Sequence, residues 1–178
     1  VTITLLARSG TAIMARLQQK GRKLDDRLAF AQRDGGKYHV LCLFPDPGDY
    51  VLRLFAKTAG ETEYAWAVDY KVVASAGAGE GASFPEAYGQ FDERAVYLFS
   101  PIEGYLQPGT TQTFKLRVPG ADKVAVINAG QWTHLARQDD VFEGQVRVAE
   151  GRLQVFARFP NDANYKGLLS YRTSRAEE

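Results

Sequence analysis

The stretch DPGDYVLRLFAKTAGETEYAWAVDYK, Asp46 to Lys71, has a close relative at the far end of the chain, EGRLQVFARFPNDANYKGLLSYR, Glu150 to Arg172. In the later copy Leu153, Val155 and Ala157 alternate with Gln154 and Arg158, the period of two that marks a half-buried strand. FPNDAN then supplies turn chemistry, and Tyr165, Leu169 and Tyr171 continue on a partner strand. The earlier copy repeats the arrangement with Leu52, Leu54 and Ala56, then Tyr64, Trp66, Val68 and Tyr70. The differences 156 − 55, 157 − 56, 165 − 64 and 171 − 70 are all 101. A constant offset carried across a turn predicts two hairpins of equal length and register, and with them an internal duplication of a whole domain.

Upstream of each hairpin the pattern predicts further short strands. In the first half they fall near Thr2–Leu6, Ala12–Leu17, Arg27–Gln32 and Tyr38–Phe44. In the second they fall near Val96–Ser100, Thr113–Val118, Lys123–Asn128, Thr133–Arg137 and Phe142–Val148. Turn signals such as DGG, PDPGD, PGT, PGAD and NAG separate them. AIMARLQQKGRKL alone admits a helical face, through Ile13, Met14 and Leu17; strand is preferred because its counterpart TFKLRVP plainly alternates. The small-residue run 74–83, ASAGAGEGAS, reads as a flexible linker. It divides the chain into residues 1–73, the linker, residues 84–174 and a tail of 175–178. The aromatic segment FPEAYGQFDERA is expected to pack back on a domain, because Phe84, Tyr88 and Phe91 are costly to expose.

Many short antiparallel strands in each half predict an all-β protein of two tandem immunoglobulin-like β-sandwiches. DPGDYVL fits the tyrosine-corner pattern, with Tyr50 two residues before inward-facing Leu52. Leu52 stands where antibody domains carry a disulfide cysteine, so apolar packing must hold these layers together. The second copy reads AEGRLQV and lacks the tyrosine. Its corner must be closed by other groups.

Composition narrows the function classes. With 178 residues, 45% hydrophobic and 24% charged, the chain has an ordinary globular balance, and its net charge of +1 argues against a nucleic-acid binder. The tract QQKGRKLDDR carries four cations with Asp25 and Asp26 among them, and reads as a solvated turn. Cys42 is the single cysteine, which excludes an internal disulfide and a cysteine-rich zinc site and points to a reducing, cytoplasmic compartment. No apolar run is long enough to span a membrane as a helix. The chain begins VTITLLARSG, with neither an initiating Met nor a signal-peptide pattern, so sequence is expected to precede Val1. A strand starting directly at Val1 is expected to expose an edge that could pair with upstream sequence or with another chain.

FPDPGDYVLRLFAK, FPEAYGQF with AVYLFSP, FKLRVPGADKVAVINAGQW and VFARF…YKGLLSYR together cover most of the chain. In them it resembles the immunoglobulin-like repeats that follow the transglutaminase-like core of the kyphoscoliosis peptidase family. The resemblance implies non-catalytic β modules attached to a Cys-His-Asp papain-like domain, which would then lie before Val1. In animals such proteins are tied to the muscle cytoskeleton, and fungal relatives to cytokinesis. The catalytic pattern itself is not matched. Cys42 sits mid-strand in YHVLCLFP, where a thiol acts as a small buried hydrophobe, and His39, three residues away, points to the opposite face.

No cofactor, metal or catalytic group is expected, and the partner is a protein or the protein's own catalytic domain, met at sandwich edges or at the groove between the halves. Phe55 and Phe156 are the sharpest partner-binding candidates, because each lies on the polar face of its strand. Cover by the linker, by a neighbouring domain or by a β-bulge is the competing reading. Trp132, following the NAG turn, is the third candidate and raises a carbohydrate-binding alternative, since indole faces stack on sugar rings. Trp66 shares its alternation with Val68 and the inward tyrosines and is assigned to the core; Cys42 and Tyr50 are likewise structural. Asp139, Asp140 and Glu143 lie near a turn but offer too few oxygen donors for calcium.

Overall fold

The computed structural model describes residues 1–174, so the expected tail at 175–178 lies outside the described residues. It divides into two compact units, Val1–Phe84 and Pro85–Glu178. The first contains β1 (Thr2–Leu6), β2 (Ala12–Gln19), β3 (Arg22–Lys23), β4 (Ala29–Asp34), β5 (Lys37–Cys42), β6 (Gly48–Lys57) and β7 (Ala65–Ala74). They form a three-stranded sheet ordered β1-β5-β4 and a four-stranded sheet ordered β3-β2-β6-β7. Val40 and Cys42 from one layer meet Leu17, Leu52 and Leu54 from the other in a single buried core.

The second unit contains β8 (Glu86–Ala87), a short helix α1 (Gly89–Glu93), β9 (Tyr97–Ser100), β10 (Thr111–Arg117), β11 (Lys123–Asn128), β12 (Gln131–His134), β13 (Ala136–Gln138), β14 (Val141–Arg147), β15 (Leu153–Arg158) and β16 (Lys166–Tyr171). Its layers are ordered β13-β14-β10-β9 and β12-β11-β15-β16-β8. Phe114, Leu116 and Phe142 of one layer and Val124, Val126, Leu153 and Val155 of the other are buried. The chain is thus all-β, with immunoglobulin-like sandwich layering. The expected strand Thr133–Arg137 is divided: β12 pairs with β11 in one layer and β13 with β14 in the other. Leu135 is buried at the crossing.

The two hairpins correspond pair by pair. In the first, Leu52 faces Tyr70, Leu54 faces Val68 and Phe55 faces Trp66, with the register shifting between Leu54 and Phe55. In the second, Leu153 faces Tyr171, Val155 faces Leu169 and Phe156 faces Gly167, with the shift between Val155 and Phe156. Adding 101 to every number of the first set gives the second, bulge included. Ala67 and Leu168 are the extra residues that the bulges accommodate.

The corners differ as expected. The Tyr50 hydroxyl donates to Asp46 O at 2.7 Å and accepts from Asp46 N at 3.2 Å, closing the first unit's tyrosine corner. In the second unit Gly151 stands 101 positions after Tyr50, and buried Asn128 takes over the corner. Its Nδ2 donates to Ala149 O (3.1 Å) and Arg152 O (3.3 Å), and its Oδ1 accepts from Ala149 N (2.6 Å). The Thr173 hydroxyl accepts from Gly151 N at 2.9 Å and donates to Gly151 O at 2.6 Å.

The run read as a linker is tethered to the first unit. Ala74 closes β7, Ala78 N donates to Phe44 O at 2.7 Å, and Phe84 N donates to Arg27 O at 2.8 Å. Gly77 permits this close approach: a Cβ there would lie 2.3 Å from Pro45 O. Phe84 packs on Phe30 (centroids 5.8 Å apart) and so belongs to the first unit, whereas Phe91 is buried within the second.

Candidate functional site

The outer face of the β12-β11-β15-β16-β8 layer gathers two of the three partner-binding candidates. Residues two apart on a strand share a face, so Trp132 and His134 project together from β12. Ala125 faces both His134 and Phe156 across the sheet, and Ile127 faces both Trp132 and Gln154. Trp132 lies 6.4 Å from Phe156, centroid to centroid, and meets Tyr165 edge-on at 5.0 Å. Its ring is nearly parallel to His134, with 24° between planes at 6.2 Å. A hydrogen bond of 3.2 Å links His134 Nε2 with Tyr165 Oη. The cluster covers Ala125 completely, although that residue is on the outer face, while Trp132 itself stays 49% exposed. Asp122, Lys123 and Arg137 border an open depression beside His134. The result is an aromatic platform with charged residues along its His134 side, and aromatic side chains are enriched at protein contact surfaces. Sequence reasoning missed His134 and Tyr165, because the pairing that joins them spans 31 residues.

Phe55 lies on the corresponding face of the first unit, half-buried beneath the Arg16 guanidinium, which stands 5.2 Å over its ring. Trp66 corrects the expectation of a core residue: it is 63% exposed. The bulge is the cause. Once Ala67 is inserted the alternation changes phase, and Trp66 joins Arg53, Phe55 and Asp69 on the outer face instead of following Val68 and Tyr70 inward. Its indole Nε1 donates to Asp69 Oδ1 at 3.1 Å, and Arg53 forks both Asp69 oxygens at 2.8 Å. The Arg53 fork, aided by the indole, holds the Asp69 carboxyl down at about 2. The twin position carried a usable signal, since Gly167 matches Trp66 and the two make a poor pair of core equivalents.

Cys42 and His39 are not brought together. Cys42 is buried and faces inward, and desolvation pushes its thiol up to about 11. His39 faces outward and contacts Thr4 Oγ1 through Nδ1 at 3.2 Å. The buried thiol is therefore protonated at neutral pH and lacks a base. Alkylation by iodoacetamide at pH 7 is expected to be negligible until denaturant unfolds the first unit. Stoichiometric labelling of the folded protein within minutes would refute that.

Among the described residues no group of three or more metal-ligating side chains clusters. Glu143 is paired instead with Lys115 at 2.8 Å. The basic tract is also internally balanced, by Lys23–Asp26 at 2.7 Å and Arg27–Asp25 at 2.6 Å. No helix among the described residues is long and apolar enough to cross a membrane.

Residues 1–85 match the model of the KY-like, immunoglobulin-like domain. Among solved structures, a chimeric titin Z1Z2 tandem is 14% identical, over 99% of this chain and 92% of that one, with a TM-score of 0.29. The titin tandem A164-A165 is 11% identical over 98% and 88%, with a TM-score of 0.29. The fibronectin(III)-like modules of Clostridium thermocellum CbhA are 13% identical over 99% and 88%, with a TM-score of 0.31. The fold assignment rests on the sheets and, for residues 1–85, on the family match. No curated protein matches the chain.

Proposed function

Starting from a first unit that matches the KY-like, immunoglobulin-like domain, we propose that this chain is a non-catalytic β-sandwich module of a transglutaminase-like protein. It positions the catalytic domain or docks it on a protein partner. The observation that carries the reading is the aromatic platform of the second unit, where Trp132 remains half exposed while its neighbours hold it in one orientation. A preorganised, half-exposed aromatic contributes disproportionately to protein contacts. The inward, protonated Cys42 thiol supports the non-catalytic part.

The near-parallel Trp132 and His134 rings keep the carbohydrate alternative in play, because flat aromatic faces also stack on pyranoses. Binding of a kyphoscoliosis-peptidase-type transglutaminase-like domain to the immobilised chain separates the two readings. Trp132→Ala is expected to weaken that binding roughly 30-fold, as for a hot-spot aromatic. Absence of domain binding, with retardation in soluble polysaccharide gels that Trp132→Ala abolishes, would establish the carbohydrate reading instead.

A further inference from the structure

The twin hairpins differ at one edge. In the second unit β8 covers β16, with Leu169 facing Ala87 and Ser170 facing Glu86, and Tyr88 N donates to Leu168 O at 3.0 Å. In the first unit β7 is ten residues long and ends its sheet, with no strand on its outer side among the described residues. Leu168 and Ser170 turn their backbone groups outward to β8. By the shared register the outward groups of β7 belong to Ala67 and Asp69 and, continuing the alternation, to Lys71 and Val73. The edge also carries apolar surface: Trp66, Val68 and Val73 are 63%, 37% and 79% exposed. A long open edge of this kind is a template for strand addition.

We propose that the occupant of this edge is β7 of a second copy of the chain, paired antiparallel about Tyr70. That register sets Asp69 against Lys71 of the second copy, and Lys71 against its Asp69, as hydrogen-bonded pairs on the outer face. Arg53 already fixes the Asp69 carboxylate on that face. Val68 then faces Val72, and Ala67 faces Val73, so the exposed valines meet apolar neighbours. Opposite charges directly across an antiparallel pair stabilise it and like charges oppose it. Centring the pair on Asp69 or on Lys71 would put two carboxylates or two ammonium groups face to face, so charge selects the Tyr70 register from its neighbours. The contact is isologous and therefore closes as a two-fold dimer. β8 covers the corresponding edge of the second unit, which therefore offers no equivalent contact. This dimer does not depend on the aromatic platform, which lies on another layer.

Light scattering on the whole chain at tens of micromolar is the test. The wild type is expected at twice the monomer mass. Lys71→Pro removes an outward N–H without breaking the inner ladder and is expected to give monomers. Lys71→Glu makes both charged positions acidic and Asp69→Lys makes both basic; each alone is expected to be monomeric. Mixed in equal amounts, the two variants are expected to form a heterodimer, since every facing pair is then complementary. Circular dichroism confirms that each variant is folded. A monomeric wild type, whatever other strand adds to β7, overturns the proposal. So does a wild-type dimer that Lys71→Glu and Lys71→Pro leave intact.

Discussion

Replacing Asn128 with alanine is expected to destabilise the second unit by about 2–3 kcal/mol, more than any other single polar truncation at either corner. Asn128 is 5% exposed, and its amide serves three backbone groups of the turn that leads into β15. Alanine leaves Ala149 N–H, Ala149 O and Arg152 O without that partner. Tyr50→Phe in the first unit removes a hydroxyl that donates once and accepts once, both with the backbone of Asp46 alone, and is expected to cost about 1 kcal/mol. Urea unfolding monitored by far-ultraviolet dichroism distinguishes the two, since each loss belongs to the transition of its own unit. An Asn128→Ala variant no less stable than Tyr50→Phe would show that Thr173 closes the second corner unaided.

Gly167→Trp should be at least as damaging, although tryptophan is what the first unit carries at the equivalent position. A Cβ at Gly167 already lies 3.1 Å from the Tyr88 ring, and the Tyr88 hydroxyl accepts from Gln154 Nε2 at 2.8 Å. An indole must expel that ring, break the Gln154 contact and strip β8 from β16. The expected loss is about 2–4 kcal/mol, from the burial of the tyrosine and one amide hydrogen bond. A double-mutant cycle tests the mechanism: in a Tyr88→Ala background the same substitution should be close to neutral. Equal costs in both backgrounds would mean that Gly167 is needed for its backbone and not as the seat of Tyr88.

The sequence was most informative where physics is local. Alternation located the strands, and the constant offset anticipated a shared register that the pairing reproduces residue for residue. Tyr50 was legible because its acceptor lies only four residues away. Trp66 was misread, because a bulge leaves no mark in the alternation of a single strand and only the mismatch with Gly167 at the twin position signals the switch. The aromatic platform was half legible. Trp132 and Phe156 stood out as misplaced apolar residues on polar faces, but His134 and Tyr165 join them only through the sheet order β12-β11-β15-β16. Small residues between two domains usually signal slack chain. Here Gly77 serves the opposite purpose, letting the run lie against the Pro45 carbonyl.

The single inserted residue in each hairpin, Ala67 or Leu168, divides a continuous ribbon into two stretches with opposite design rules. On the side toward Tyr70 and Tyr171, every second side chain is committed to the interior and tolerates little change. On the loop side the committed positions have switched, so Trp66 and Gly167 both lie outside the core and each answers to the neighbours on its outer face, Asp69 for one and Tyr88 for the other. Each sandwich thus carries its own tip on a fixed handle, a free surface in the first unit and the seat of Tyr88 in the second.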